Sequence, residues 1–271
     1  MLPNQFKPID LKLLWTLVVR VRNRAPLVHN ITNFVVMNNT ANALLAVGAS
    51  PAMIHSVDEV EDFVAISQAL VINIGTLDSV WIAACKLAAI KAINTGIPWI
   101  LDPVGTGATP YRQTAANSLA QLKPTVIRGN GSEILSVAQQ AGEGRGVDSL
   151  HSSETALNAA QHLANLTKGI VAITGAVDYV TDGTQVAEIH NGHPLMTRVT
   201  GLGCSATAVI GAFLAIEPDA LTATVAALTF FSVAGELAVE RSPGPGTLQV
   251  ALLDTLYTLD EETFIRQAQV H

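Results

Sequence analysis

Four short runs of apolar and β-branched residues, at 70–74, 99–103, 125–128 and 170–174, punctuate this chain, and longer stretches with helical spacing separate them. Each run closes on a polar or glycine-containing turn. Parallel neighbours need a crossover of a dozen or more residues, which is usually a helix, so this alternation predicts βαβ units. The expected fold class is α/β, with a mainly parallel central sheet flanked by helices and residues 1–271 forming a single domain. After Thr174 the pattern changes. Residues 179–181, the Asp182-Gly183 turn and residues 186–190 alternate like an antiparallel hairpin that extends the sheet. A small-residue helix should open at Gly201 to Cys204, and a second, alanine-rich helix should cover 221–240. The Gly244-Pro245-Gly246 cluster reads as a plain turn after it.

Composition narrows the function classes. Of the 271 residues, 49% are hydrophobic and 14% charged, enough apolar surface for one sizeable core and too few charges for a long disordered region. A monomer of this make-up would expose much apolar area, so part of the surface is expected to be covered by further copies of the chain. The net charge of −7 provides no basic footprint for nucleic acid or an anionic membrane. Residues 11–21 are apolar but interrupted or flanked by Asp10, Lys12, Arg20 and Arg22, as in an amphipathic helix rather than a leader. The apolar run 206–216 is well short of the roughly 20 residues of a membrane span. Cys85 and Cys204 have no metal-type spacing and imply neither a disulfide framework nor zinc; the cytoplasm fits best.

Ligands of open α/β sheets bind outside the carboxyl ends of the strands, so polar groups there are the leading site candidates. Asp102 ends the second run and Glu133 follows the third, and two such carboxylates can hold magnesium together with substrate phosphates. Arg128 can pair with phosphate oxygens or with a neighbouring carboxylate. Thr174 can offer its hydroxyl to a nucleotide phosphate or simply cap a turn. The stretch Thr200-Gly201-Leu202-Gly203-Cys204 brings glycines straight into a helix N-terminus, where free N–H groups and the macrodipole favour an anion. Near the start, Val28-His29-Asn30-Ile31-Thr32-Asn33 places polar groups in an apolar region, as substrate contacts would.

Taken in order, several motifs together resemble the hydroxyethylthiazole kinase family. They are Pro26-Leu27-Val28-His29-Asn30-Ile31-Thr32-Asn33, Gly48-Ala49-Ser50-Pro51-Ala52-Met53, Asn73-Ile74-Gly75-Thr76, Leu101-Asp102-Pro103-Val104, Arg128-Gly129-Asn130-Gly131-Ser132-Glu133, Gly144-Arg145-Gly146-Val147-Asp148 and Gly201-Leu202-Gly203-Cys204. The match spans about residues 25 to 248. The resemblance implies a ribokinase-like fold and transfer of the γ-phosphoryl group of ATP to the primary alcohol of 5-(2-hydroxyethyl)-4-methylthiazole in thiamine salvage. It further implies thiazole contacts at Met53 and Gly201, to which Asn30 and Val28 are added, nucleotide contacts at Arg128 and Thr174, and magnesium at Asp102 and Glu133. Gly201, Gly203 and Cys204 would form the catalytic segment, in a homotrimer with sites at subunit contacts. Cys204 stands where many sugar kinases of this fold carry a basic aspartate. Kinases of other vitamin alcohols, a nucleotide-dependent lyase of the same fold and a non-catalytic thiazole sensor remain the competing readings.

Overall fold

A computed structural model describes residues 9–141 and 153–271. The chain runs through α1 (Leu11–Arg24), β1 (Leu27–Ile31), α2 (Met37–Val47), β2 (Ser50–Ala52), α3 (Val60–Ile66), β3 (Ala69–Asn73), α4 (Ser79–Thr95) and β4 (Trp99–Asp102). It continues through α5 (Pro110–Ala120), β5 (Val126–Asn130), α6 (Gly131–Ala141), α7 (Ser153–Thr167), β6 (Ile170–Thr174) and the hairpin strands β7 (Asp178–Thr181) and β8 (Val186–Ile189). Four helices close it: α8 (Leu202–Leu214), α9 (Ala220–Glu240), α10 (Pro245–Thr258) and α11 (Glu261–Gln267). Among the described residues, all strands join one 8-stranded sheet in the order β2-β1-β3-β4-β5-β6-β7-β8, parallel except for the last two pairings.

The sheet is covered on both faces, which is why its strands read as near-continuous apolar runs. One core lies under α1, α2, α8, α9 and α10 and takes Val28, Val71, Ile100, Val126 and Ala172 from the sheet. The other lies under α3 to α7 and takes Ile31, Leu70, Ile72, Leu101, Ile127 and Val171. The expected amphipathic N-terminal helix is α1: Asp10 caps it by accepting from the Lys12 N–H at 2.9 Å, and Leu14, Trp15, Leu17, Val18 and Val21 face the core. The α9 helix has 21 residues and is apolar enough to cross a membrane, but most of it is buried inside this core.

Two departures from the sequence reading have local causes. Residues 27–31 form an interior strand although His29 and Asn30 lie in it; both are fully enclosed, each with one bond to a backbone carbonyl, while His29 Nδ1 and Asn30 Oδ1 have no partner among the described residues. Gly244-Pro245-Gly246 is not a plain turn. Gly244 is the N-cap of α10 and Pro245 begins it, where the missing proline N–H removes no helical bond.

Candidate active site

Side chains alternate across a strand, and here the alternation sets out the site. Five sheet residues of the α8-side core, Val28, Val71, Ile100, Val126 and Ala172, are each followed two positions later, on the same face, by a polar residue. These are Asn30, Asn73, Asp102, Arg128 and Thr174, each at or near the carboxyl end of its strand. Register sets Asn73 directly beside Asp102, while Asn30 and Arg128 lie one same-face step lower, beside Val71 and Ala172. The core therefore ends in a polar rim where a doubly wound sheet offers a crevice.

Helix α8 crosses this rim, and its residues spaced four apart face the sheet. Gly211 lies over Val71, Val28 and Ile100, a Cβ there meeting them at 3.0, 3.1 and 3.7 Å. One turn earlier, the Thr207 hydroxyl donates to Asp102 Oδ2 at 2.8 Å. One turn earlier still, Gly203 abuts the Arg128 guanidinium so closely that a Cβ would sit 2.7 Å from Nη1. Gly201 caps the helix at φ +82°, a conformation glycine adopts without strain.

Asp102 is wholly buried. Its Oδ2 accepts from Thr207 and, at 2.9 Å, from Asn73 Nδ2, while Oδ1 has no partner among the described residues. Arg128 approaches to 3.9 Å and also donates to the Thr174 hydroxyl. Burial pushes the Asp102 carboxyl up to about 6, the Glu133 charge adds to the rise, and Arg128, Thr207 and Asn73 oppose it. Asp178, at the start of β7, is likewise raised to about 6 by burial, against a 2.9 Å bond from the Gly175 N–H and the charge of Arg128.

Glu133 is fixed by a capping box at the start of α6. Its Oε2 accepts from the Asn130 N–H at 2.8 Å, and Asn130 Oδ1 accepts from the Glu133 N–H at 2.9 Å. Glu133 Oε1 accepts from the Gly105 N–H at 2.8 Å, which joins α6 to the loop after Asp102. Among the described residues no group of three or more His, Cys, Asp or Glu forms a cage for a metal. Two carboxylates, one with an unpartnered buried oxygen, do fit magnesium, which keeps several waters and takes the rest of its shell from phosphates.

The N-terminus of α8 separates two regions. On the Gly203 side a cavity of about 520 Å³ is lined by Arg128, Thr174, Gly175, Asp178, His193 and Ser232 among others. On the Cys204 side, Asn33 Nδ2 lies 3.7 Å from Cys204 Sγ and donates to Asn73 Oδ1 at 2.8 Å. A thiol at a helix N-terminus is often acidified, but here burial pushes Cys204 up to about 12. The Asp102 carboxylate acts in the same direction, against Asn73, Arg128 and Asn33, so Cys204 is a neutral thiol at pH 7.

Asp102, Glu133, Arg128, Thr174, Gly201, Gly203 and Cys204 thus converge. Met53 follows β2, where the segment is pinned by a 2.8 Å bond between His29 Nε2 and the Ile54 carbonyl. Val28 does not reach the crevice: its side chain is fully buried in the core beneath Gly211. Asn30 is also fully enclosed, donating to the Val28 carbonyl at 2.9 Å, and belongs to the floor. The Gly144-Arg145-Gly146-Val147-Asp148 motif lies outside the described residues. Asn33, Asn73 and Thr207 complete the network; Asn33 and Asn73 lie in motifs quoted above, while Thr207 is signalled only by its spacing of four from Gly203.

Residues 18–262 match the model of the hydroxyethylthiazole kinase family. The chain is 57% identical over 244 residues to hydroxyethylthiazole kinase of Granulibacter bethesdensis, covering 90% of this chain and 89% of that protein. It is 52% identical over 258 residues to the protein of the same description from Syntrophus aciditrophicus, with coverage of 94% and 96%. The solved hydroxyethylthiazole kinase protein from Pyrococcus horikoshii OT3 superposes with a TM-score of 0.90 at 43% identity, over 96% of this chain and 98% of that one. A pyridoxal kinase from Staphylococcus aureus, solved with AMP-PCP and pyridoxal, shares the ribokinase-like fold at a TM-score of 0.61 and 17% identity, over 77% and 87%.

Proposed function

Because the chain belongs to the hydroxyethylthiazole kinase family, we infer that it phosphorylates hydroxyethylthiazole in thiamine salvage, drawing the phosphoryl group from ATP. The observation that carries the site assignment is the rim itself. A buried carboxylate with an unpartnered oxygen, a second carboxylate held by backbone amides, a guanidinium and a glycine-led helix N-terminus meet at the strand ends.

In this reading the nucleotide occupies the cavity beside Gly203, with Arg128 and Thr174 toward its phosphates. The thiazole lies on the other side of α8, against Met53 and Gly201, with its hydroxyl at Cys204. The alcohol oxygen bonds to the γ-phosphorus as the bond to the β,γ-bridging oxygen breaks; ADP departs with that electron pair, and the alcohol proton leaves to a phosphoryl oxygen or to water. This transfer is loose and draws mainly on positioning and charge stabilisation. The α8 amides and Arg128 face the charge that spreads over the γ-phosphoryl oxygens. Asp102 and Glu133 would hold magnesium, directly or through water, and the ion would supply charge neutralisation on the phosphates. Cys204, a thiol at working pH, orients the alcohol rather than removing its proton ahead of attack.

We further place the chain, as one kinase domain, in a cytoplasmic homotrimer with sites at the subunit contacts. Supporting the contact surface are the exposed Phe34 and Val35 near Asn33, and Val80, Leu87 and Ile90 along one side of α4. Kinetics with hydroxyethylthiazole, pyridoxal and hydroxymethylpyrimidine as rival acceptors test the reading. It requires the highest kcat/KM for the thiazole, and a preference for either rival would overturn it. Sedimentation of the purified protein checks the trimer.

A further inference from the structure

Arg112, on the first turn of α5, takes no part in the chemistry above and forms no ion pair among the described residues. Its guanidinium is committed to backbone carbonyls. Nη1 donates to Ile74 O at 2.8 Å and Val104 O at 3.0 Å, and Nη2 to Gly75 O at 2.6 Å. These carbonyls belong to two strand-end loops, one after β3 and one after β4. Each loop holds one half of the site. The Gly75 N–H donates to Asn73 Oδ1 at 2.9 Å, the same oxygen that receives Asn33, the neighbour of Cys204. Gly105, next after Val104, donates to Glu133 Oε1 at 2.8 Å.

We propose that Arg112 is a positioning residue that locks the alcohol-side loop and the carboxylate-side loop into one spacing. The inference deepens the kinase reading and rests on it for its kinetic consequence. Two arguments support it. A planar guanidinium with several fixed donors spans the carbonyls of two loops as a single ammonium does not. Phosphoryl transfer also depends on the distance between acceptor and donor, so a displacement of about 1 Å is felt as roughly 100-fold in rate. Nothing in the cavity that takes the nucleotide involves Arg112.

The test uses Arg112→Lys and Arg112→Ala in the full chain. Hydrogen exchange should be faster than in the wild type in peptides covering residues 74–76 and 103–106, and unchanged in α8. Per folded molecule, kcat of Arg112→Ala should fall about 10- to 100-fold, as for supporting groups of a catalytic site, with KM for ATP within about twofold. Arg112→Lys should recover part of both losses, and it decides the matter where Arg112→Ala does not fold. Wild-type exchange in both loops, or wild-type kcat after correction for folded fraction, would overturn the proposal. The exchange arm needs no turnover. A wild-type protein that fails to phosphorylate the thiazole therefore sinks the kinase reading, while the loops still decide the clamp.

Discussion

Replacing Gly203 by alanine separates the stability of this protein from its chemistry. The new Cβ would lie 2.7 Å from Arg128 Nη1, 2.9 Å from Nη2 and 3.2 Å from Cζ. Ordinary contact begins near 3.4 Å, so the guanidinium must retreat by about 0.7 Å, close to the displacement that costs roughly 100-fold in rate at a reacting centre. Little room exists for the retreat, because Arg128 is only 9% exposed and is held between Thr174 and Asp102. Overpacking of this kind costs about 1–3 kcal/mol, while alanine within a helix returns about 1 kcal/mol. The net loss is then about 0–2 kcal/mol, or at most about 8 °C in Tm for a chain of this size. Calorimetry and steady-state kinetics on Gly203→Ala should thus show a folded protein whose kcat/KM for ATP is reduced about 10- to 100-fold. A variant that folds and keeps wild-type kcat/KM would refute the placement of Arg128 at the phosphates.

Gly201→Ala should be worse for folding. A non-glycine residue at φ +82° costs about 1–2 kcal/mol, and its Cβ would strike Val36 Cγ1 at 2.5 Å, so Tm should fall further than in Gly203→Ala. Cys204→Ala should retain at least about a tenth of wild-type kcat, since a neutral thiol is not the dominant base; a fall beyond about a thousandfold would contradict that role. The same thiol should react with iodoacetamide at pH 8 far more slowly than free cysteine, and a rate equal to free cysteine would contradict its burial. Asp178 has a folded pKa of about 6 against 3.8 unfolded, so the folded state binds its proton more tightly. Its contribution to stability therefore declines as pH rises from about 4 to about 6, by roughly 3 kcal/mol. His29, held neutral by burial, contributes the opposite slope in part of that window, so the readout is the difference in Tm between wild type and Asp178→Asn. That difference should shift in favour of the variant on going from pH 4.5 to pH 7, and a constant difference would refute the raised pKa.

Much of this architecture is legible in the sequence because burial and parity act locally. The runs at 99–103 and 170–174 are apolar until the polar residue that leaves the core, so Asp102 and Thr174 announce the ends of their own strands. Glu133 is legible through its capping-box spacing from Asn130. The strand at 27–31 is not, since the partners that let His29 and Asn30 lie inside it are backbone carbonyls that no side-chain pattern reveals. Val28 looks like a site residue by proximity in sequence, yet it sits two positions below Asn30 on the same face and belongs to the core. The Asn33 to Cys204 and Thr207 to Asp102 contacts join residues 171 and 105 apart, so topology alone creates them. The Arg112 clamp is hidden for the same reason as His29: its partners are carbonyls.

The central claim is that the polar rim around Asp102 and Glu133 transfers phosphoryl groups to a thiazole alcohol. Its most direct test is mass spectrometry of the products formed from hydroxyethylthiazole and ATP by wild-type protein with magnesium, by wild-type protein without it, and by Glu133→Ala with it. The account predicts thiazole phosphate in the first reaction and at most a trace in the other two. Equal product from folded Glu133→Ala, or none from the wild type, would contradict it.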